Sequence, residues 1–147
     1  MDGQDHLVES PERIAGLLRS SKRIAVLGIK SEDDSGQPGY YVPDYLQRAG
    51  FEIIPVPVYY PQIKTILGQP VYRKLADILG DVDIVDVFRR PRDIPQHLPD
   101  ILAKKPRAVW FQTGIRNDEA ARTLAQAGIM VVQDRCMMVE HRAIRAP

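Results

Sequence analysis

A chain of 147 residues can bury about 68–70% of its unfolded surface in one core, so a single domain spanning residues 1–147 is expected without covalent staples. Twenty basic residues against nineteen acidic ones leave a net charge of +1, which excludes a long-range field for gripping nucleic acid but leaves room for a small anionic ligand met by a few local cations. The single cysteine, Cys136, excludes an internal disulfide, and no apolar run is long enough to span a membrane or to serve as a leader, so a reducing cytoplasmic setting is expected.

Ser10-Pro11-Glu12 reads as a helix start, with a capping hydroxyl, a proline suited to the first turn and an acid suited to the dipole. Ile14, Leu17 and Leu18 then form one apolar stripe, predicting a helix over Pro11 to Arg19 that covers the sheet. Arg23 to Gly28 is a continuous apolar run, the signature of a parallel strand buried on both faces. A polar loop, Ile29 to Gly39, follows it. Tyr41, Tyr45, Leu46 and Ala49 keep helical spacing up to Gly50, so the next helix is expected over Tyr40 to Ala49, with Pro43 tolerated in its first turn.

Phe51 to Val58 is the second strand, its downstream prolines forcing it to splay into the loop Tyr59 to Gln69. A short edge strand is expected at Pro70 to Tyr72 and a short helix at Lys74 to Leu79, stopped by Gly80. Asp83 to Phe88 is the next strand, and it delivers Arg89, Arg90 and Arg92 at its carboxyl end. A helix over Leu98 to Lys104, a buried strand over Arg107 to Gln112, a helix capped by Asn117 and stopped by Gly128, a strand over Ile129 to Val132 and a helix over Cys136 to Ala143 complete the pattern. Strands alternating with helices along the whole chain predict a doubly wound parallel sheet, α/β, with helices on both faces. The twelve prolines act as punctuation between these elements.

In such sheets ligands lie outside the carboxyl ends of the strands, where the strand order reverses. With the first strand central, the reversal falls between it and the strand ending at Phe88. Gly28 to Lys30, Phe88 to Arg90 and Gln112 to Gly114 would then meet there. Lys30 and the arginines suit phosphates, and Phe88 offers a face to an adenine or an apolar arm. An NAD(P)-dependent oxidoreductase fits less well. The turn reads Gly28-Ile29-Lys30-Ser31 and lacks the further glycines of a dinucleotide fingerprint, and Pro55-Val56-Pro57 stands where a ribose-binding acid would be needed. A nucleotide with more phosphate, held by side-chain cations, fits better.

The segments IAVLGIK, FEIIPV, LGQPVY, DIVDVFRRP, VWFQTGIRN and DRC followed by EH resemble the small stand-alone CoA-binding domain proteins, which are similar to the N-terminal domain of the succinyl-CoA synthetase alpha subunit. The resemblance covers about Ile14 to Arg142, and DVFRRP and WFQTGIRN carry its specificity. It implies a Rossmann-like fold, with coenzyme A or an acyl-CoA as ligand. It also implies that Gly28, Ile29 and Lys30 line the first phosphate turn, with Tyr40 beginning the helix that faces it. Pro55 and Val56 would flank the adenosine end, Phe88, Arg89 and Arg90 would grip adenine and phosphates, and Gln112 and Gly114 would lie near the pantetheine path. Glu32, Asp33 and Asp34 are expected to point away from any phosphate.

The synthetase's phosphohistidine domain has no counterpart in this sequence, so a non-catalytic CoA-binding protein is expected rather than a ligase. A nucleotide-sensing interaction module, presenting Tyr59, Tyr60 and Ile63, is the other alternative. His6, His97 and His141 lack metal spacing and are expected at surface or capping positions, and no metal is expected. Cys136, at a helix start beside Arg135, is expected to be an inert thiol rather than the partner of a disulfide with CoA.

Overall fold

The apolar runs form strands because both of their faces are covered, as a computed structural model describing residues 3–145 makes plain. The outermost residues of the expected 1–147 domain lie outside the described residues. The strands are β1 (Arg23–Leu27), β2 (Glu52–Val56), β3 (Thr65–Ile66), β4 (Gln69–Pro70), β5 (Ile84–Val87), β6 (Ala108–Phe111) and β7 (Met130–Val132). Five of them make one parallel sheet in the order β2-β1-β5-β6-β7, while β3 and β4 form a separate antiparallel ribbon.

The helices are α1 (Pro11–Arg19), α2 (Pro38–Arg48), α3 (Leu98–Lys104), α4 (Asp118–Gln126) and α5 (Met137–Arg145). Side chains alternate across each strand and build two cores. Ile24, Val26, Ile84 and Trp110 pack under α1, α2 and α5, whereas Ala25, Val85, Val109 and Phe111 pack under α3, α4 and the turn at Leu75 to Ile78. The result is a Rossmann-like three-layer α/β/α sandwich. Its strand order reverses between β2 on one side of β1 and β5 on the other, so the crevice lies where the sequence pattern put it.

Three local expectations are corrected. Lys74 to Leu79 is not a helix but a single 3-10 turn, Leu75–Asp77, whose first N–H groups, those of Leu75 (2.7 Å) and Ala76 (3.0 Å), are capped by the Asp100 carboxylate and which ends where Ile78 turns extended. Pro70 to Tyr72 does not extend the main sheet as an edge strand. Gln69–Pro70 pairs back on Thr65–Ile66 through a turn with Leu67 (φ 54) and Gly68 (φ 73) in the left-handed region, and only Tyr72 reaches the sheet edge, donating to the Pro55 carbonyl at 2.9 Å.

The second helix starts at Pro38, so Pro43 is inside it rather than in its first turn. A proline there leaves the carbonyl four residues back, that of Gly39, without its helical donor. That carbonyl instead accepts the backbone N–H of Lys30 at 3.0 Å. At the opposite edge of the sheet, the segment before α1 adds an unforeseen bridge: Leu7 pairs in parallel with Val131, and the Val8 N–H donates to the Val131 carbonyl at 2.8 Å.

Candidate functional site

The carboxyl ends of β1, β5 and β6 open onto a cavity of about 680 Å³, within the usual range for a small-molecule site. Six of the residues singled out in the sequence line it: Lys30 after β1, Phe88, Arg89 and Arg90 after β5, and Gln112 and Gly114 after β6. The other five do not. Ile29 and Val56 are core residues, Pro55 is buried in β2, and Tyr40 turns its hydroxyl to the Glu32 carboxylate at 3.5 Å, burial and that acid raising its pKa.

Gly28 also lies behind the lining. Its φ of 86° excludes most side chains, and a Cβ there would collide with the carbonyl of Phe88. The glycine therefore lets two neighbouring strand-end loops close on each other.

The remaining wall comes from two helix starts: that of α2, the helix the resemblance implied would face the first turn, and that of α5, which the sequence did not signal. Gln37, Pro38, Gly39, Tyr41 and Val42 line it from the start of α2, and Cys136, Met138 and Val139 from the start of α5. Pro38 was a legible helix start ahead of a βα turn and could have been placed there. The α5 residues are brought in by tertiary folding alone. Gln37 gives α2 no side-chain cap, so the positive end of the helix dipole faces the cavity.

The cations are held by an aromatic ring. Lys30 Nζ lies 4.7 Å from the centroid of Tyr59, and the Arg89 guanidinium lies 5.8 Å from the same centroid while donating to the Tyr59 hydroxyl at 3.3 Å. Arg73 fixes this loop by donating to the carbonyls of Tyr59, Tyr60 and Ile63 at 2.8–3.1 Å.

Arg89 is nearly buried and also donates from Nε to His97 Nε2 at 3.1 Å. His97 takes the N-cap position of α3, as a capping assignment expected, but its half-buried ring makes no cap bond and instead partners a cavity arginine. Burial, then the charge of Arg89, holds its pKa below the ordinary histidine value. Asp93 pairs with Arg90 at 2.9 Å, and that bond keeps its carboxyl below the usual range. His141 is likewise packed, bonded to the Tyr45 hydroxyl at 2.8 Å and edge-on to Tyr45 and Phe51.

None of the three loop acids lines the cavity. Glu32 accepts the Leu67 N–H at 2.8 Å, and Asp34 accepts the Tyr60 hydroxyl. Cys136 is half-buried and lines the cavity just ahead of α5, where its carbonyl accepts the Glu140 N–H at 3.0 Å. Among the described residues no group of three or more His, Cys, Asp or Glu side chains could hold a metal ion, and no helix is long and apolar enough to cross a membrane.

Residues 22–142 match the CoA binding domain family. The uncharacterized protein YneT of Bacillus subtilis (strain 168) is 37% identical over 132 residues, covering 90% of this chain and 94% of YneT. Among solved structures, a Thermus thermophilus protein superimposes with a TM-score of 0.84 at 40% identity, covering 92% of this chain and 99% of its own. A hypothetical protein from Pyrococcus horikoshii OT3 gives 0.83 at 29% identity and covers 94% of both chains.

Proposed function

The chain belongs to the CoA-binding domain family, and from that premise we propose that it binds coenzyme A or an acyl-CoA in the strand-end cavity and holds it without transforming it. The observation that carries this reading is the conjunction of Lys30 and Arg89 on one ring, with Arg90 beside them, at the switch point of the sheet. They stand at the ends of β1 and β5. Gln112 to Ile115 follow β6, one strand spacing (about 5 Å) from the β5 end and two (about 10 Å) from the β1 end, and the start of α5 follows β7, one strand further. An extended ligand with an anionic end and an apolar or amide-bearing arm matches that layout. The lining side chains are cations, two amides, two hydroxyls, a thiol and apolar groups, a set suited to holding a ligand in place.

Thermal denaturation with CoA, acetyl-CoA, NAD and NADP tests the proposal. At a hundredfold excess over Kd a native-state ligand stabilises by about 2.7 kcal/mol, which raises Tm by about 5–10 °C in a domain of this size. That rise is expected with CoA or acetyl-CoA. No shift with either, or a larger one with NAD or NADP, would overturn it. Arg89→Ala should weaken CoA binding by more than Arg145→Ala, and equal effects would remove Arg89 from the site.

A further inference from the structure

Asp86 is the anomaly of the sheet. It occupies the middle of β5, paired with Val26 on one side and Trp110 on the other, and is fully buried. A carboxyl group in such a place is expensive unless every oxygen is engaged. Here one is not. Oδ1 accepts the side-chain N–H of Gln112 at 2.5 Å, while Oδ2 is buried with no partner. The full hydrogen-bonding capacity of Asp86 among the described groups is therefore spent on one residue, and that residue lines the cavity.

Gln112 stands just past β6, two residues beyond Trp110 and on the same face, with only 4% of its surface exposed. A glutamine amide can present either its N–H₂ or its carbonyl to a neighbour, and the choice is made by what surrounds it. Beneath Gln112 lies an oxygen that accepts. The amide nitrogen is thus drawn down toward Asp86, and the carbonyl Oε1, which has no donor among the described residues, is left for the cavity. This orientation persists whether the carboxyl is ionised or carries its proton on Oδ2, because Oδ1 accepts in both forms. Burial raises the Asp86 pKa to about 7, so both forms are populated near neutrality.

We infer that Asp86 is a positioning residue that acts through Gln112. It locks the Gln112 carbonyl toward the cavity as the acceptor for a ligand N–H, the secondary amide of a pantetheine-type arm. The inference rests on the proposed CoA reading and adds the element that tells an amide-bearing arm from a bare nucleotide. An apolar residue at position 86 would preserve the sheet and free the amide to rotate. A ligand amide would then meet a donor as often as an acceptor.

Calorimetric titration with CoA and with ADP, which has the adenosine and diphosphate but no amide arm, tests it on the intact chain. The variants are Asp86→Asn, which keeps the shape but lets either amide orientation form, Gln112→Leu, and the double variant. Each single variant should weaken CoA binding roughly tenfold, the cost of one buried hydrogen bond. ADP binding should stay within about twofold of wild type, and the double variant should be no weaker than Gln112→Leu alone, since Asp86 acts only through Gln112. Equal losses for CoA and ADP, unchanged CoA binding, or additive losses in the double variant would each overturn the positioning role. If Asp86→Asn fails to fold, Gln112→Leu at the cavity wall still decides between selective and equal loss. Wild type that binds no CoA overturns the proposed function itself, whereas wild type that binds CoA beside variants that keep it overturns only this inference.

Discussion

The carbonyl of Gly39 accepts the backbone N–H of Lys30 at 3.0 Å, a bond between α2 and the turn after β1 that exists because Pro43 supplies no helical donor. The contact is close enough that a Cβ on Gly39 would lie 2.9 Å from Lys30 Cγ. An interior helix proline, ordinarily a defect, here docks a cation at the mouth of the cavity. Gly39→Ala separates stability from binding. Alanine favours the helix by about 1 kcal/mol over glycine, and the long Lys30 side chain can swing aside to relieve the contact. Tm should hold or rise by a few degrees while CoA affinity falls on the order of tenfold, the worth of one charge-assisted contact. Calorimetry and thermal melting on the same protein check both signs.

Tyr59 gives a second prediction. It does not line the cavity, yet its ring carries Lys30 and its hydroxyl takes Arg89. Tyr59→Ala releases both cations and should cost about five- to thirtyfold in CoA affinity, from two cation–π contacts of about 0.5–1 kcal/mol each. Tyr59→Phe keeps the ring and should lose less. Phenylalanine as damaging as alanine would show that the hydroxyl, not the face, holds the cations.

The Asp86 carboxyl predicts a pH-dependent stability. Its folded pKa, about 7, exceeds the model-compound value of 3.8, so between these the native state retains a proton that the unfolded chain has lost. Its contribution is fully present below the lower value and declines as pH rises toward the upper one. His97 and His141, whose pKa values are lowered, act in the opposite sense over part of this window. The difference between Asp86→Asn and wild type isolates the carboxyl. The variant should gain several degrees in Tm relative to wild type between about pH 5 and about pH 8. A difference that does not vary with pH would refute the raised pKa.

Cys136 supplies a fourth. Its thiol lines the cavity, so CoA bound there should slow its alkylation by about tenfold or more. Cys136→Ser should bind CoA within about twofold of wild type, as expected for a thiol that only lines the wall. Unchanged alkylation under saturating CoA would place the ligand elsewhere.

The fold was legible because its strongest signals are local. IAVL, IVDV and AVWF are buried on both faces and could be read as parallel strands without knowing their neighbours. The stops at Gly50 and Gly128 take the positive φ they were assigned. What the sequence hid depends on distant partners. Asp100 caps the short turn found after Lys74, Lys30 rescues the proline inside α2, and His97 becomes legible only once Arg89 reaches it.

The site divides the same way. The residues at strand ends follow from topology, so Lys30, Phe88 and Gln112 could be named in advance. Met138 and Val139 sit on the last helix described, with no local mark to distinguish them from core-facing residues. Gly28 adds a packing role that the sequence did not show. Its conformational freedom admits the close approach of the Phe88 backbone, a contact set by a strand sixty residues away in the sequence.

Trp110 is the one tryptophan in the chain, and its indole N–H donates at 2.7 Å to the carbonyl of Arg135, the residue just before Cys136. The chromophore is therefore wired to the segment that turns into the cavity wall. An occupant that shifts the start of α5 is therefore expected to change the tryptophan emission, and fluorescence recorded with and without CoA, with no added label, checks it.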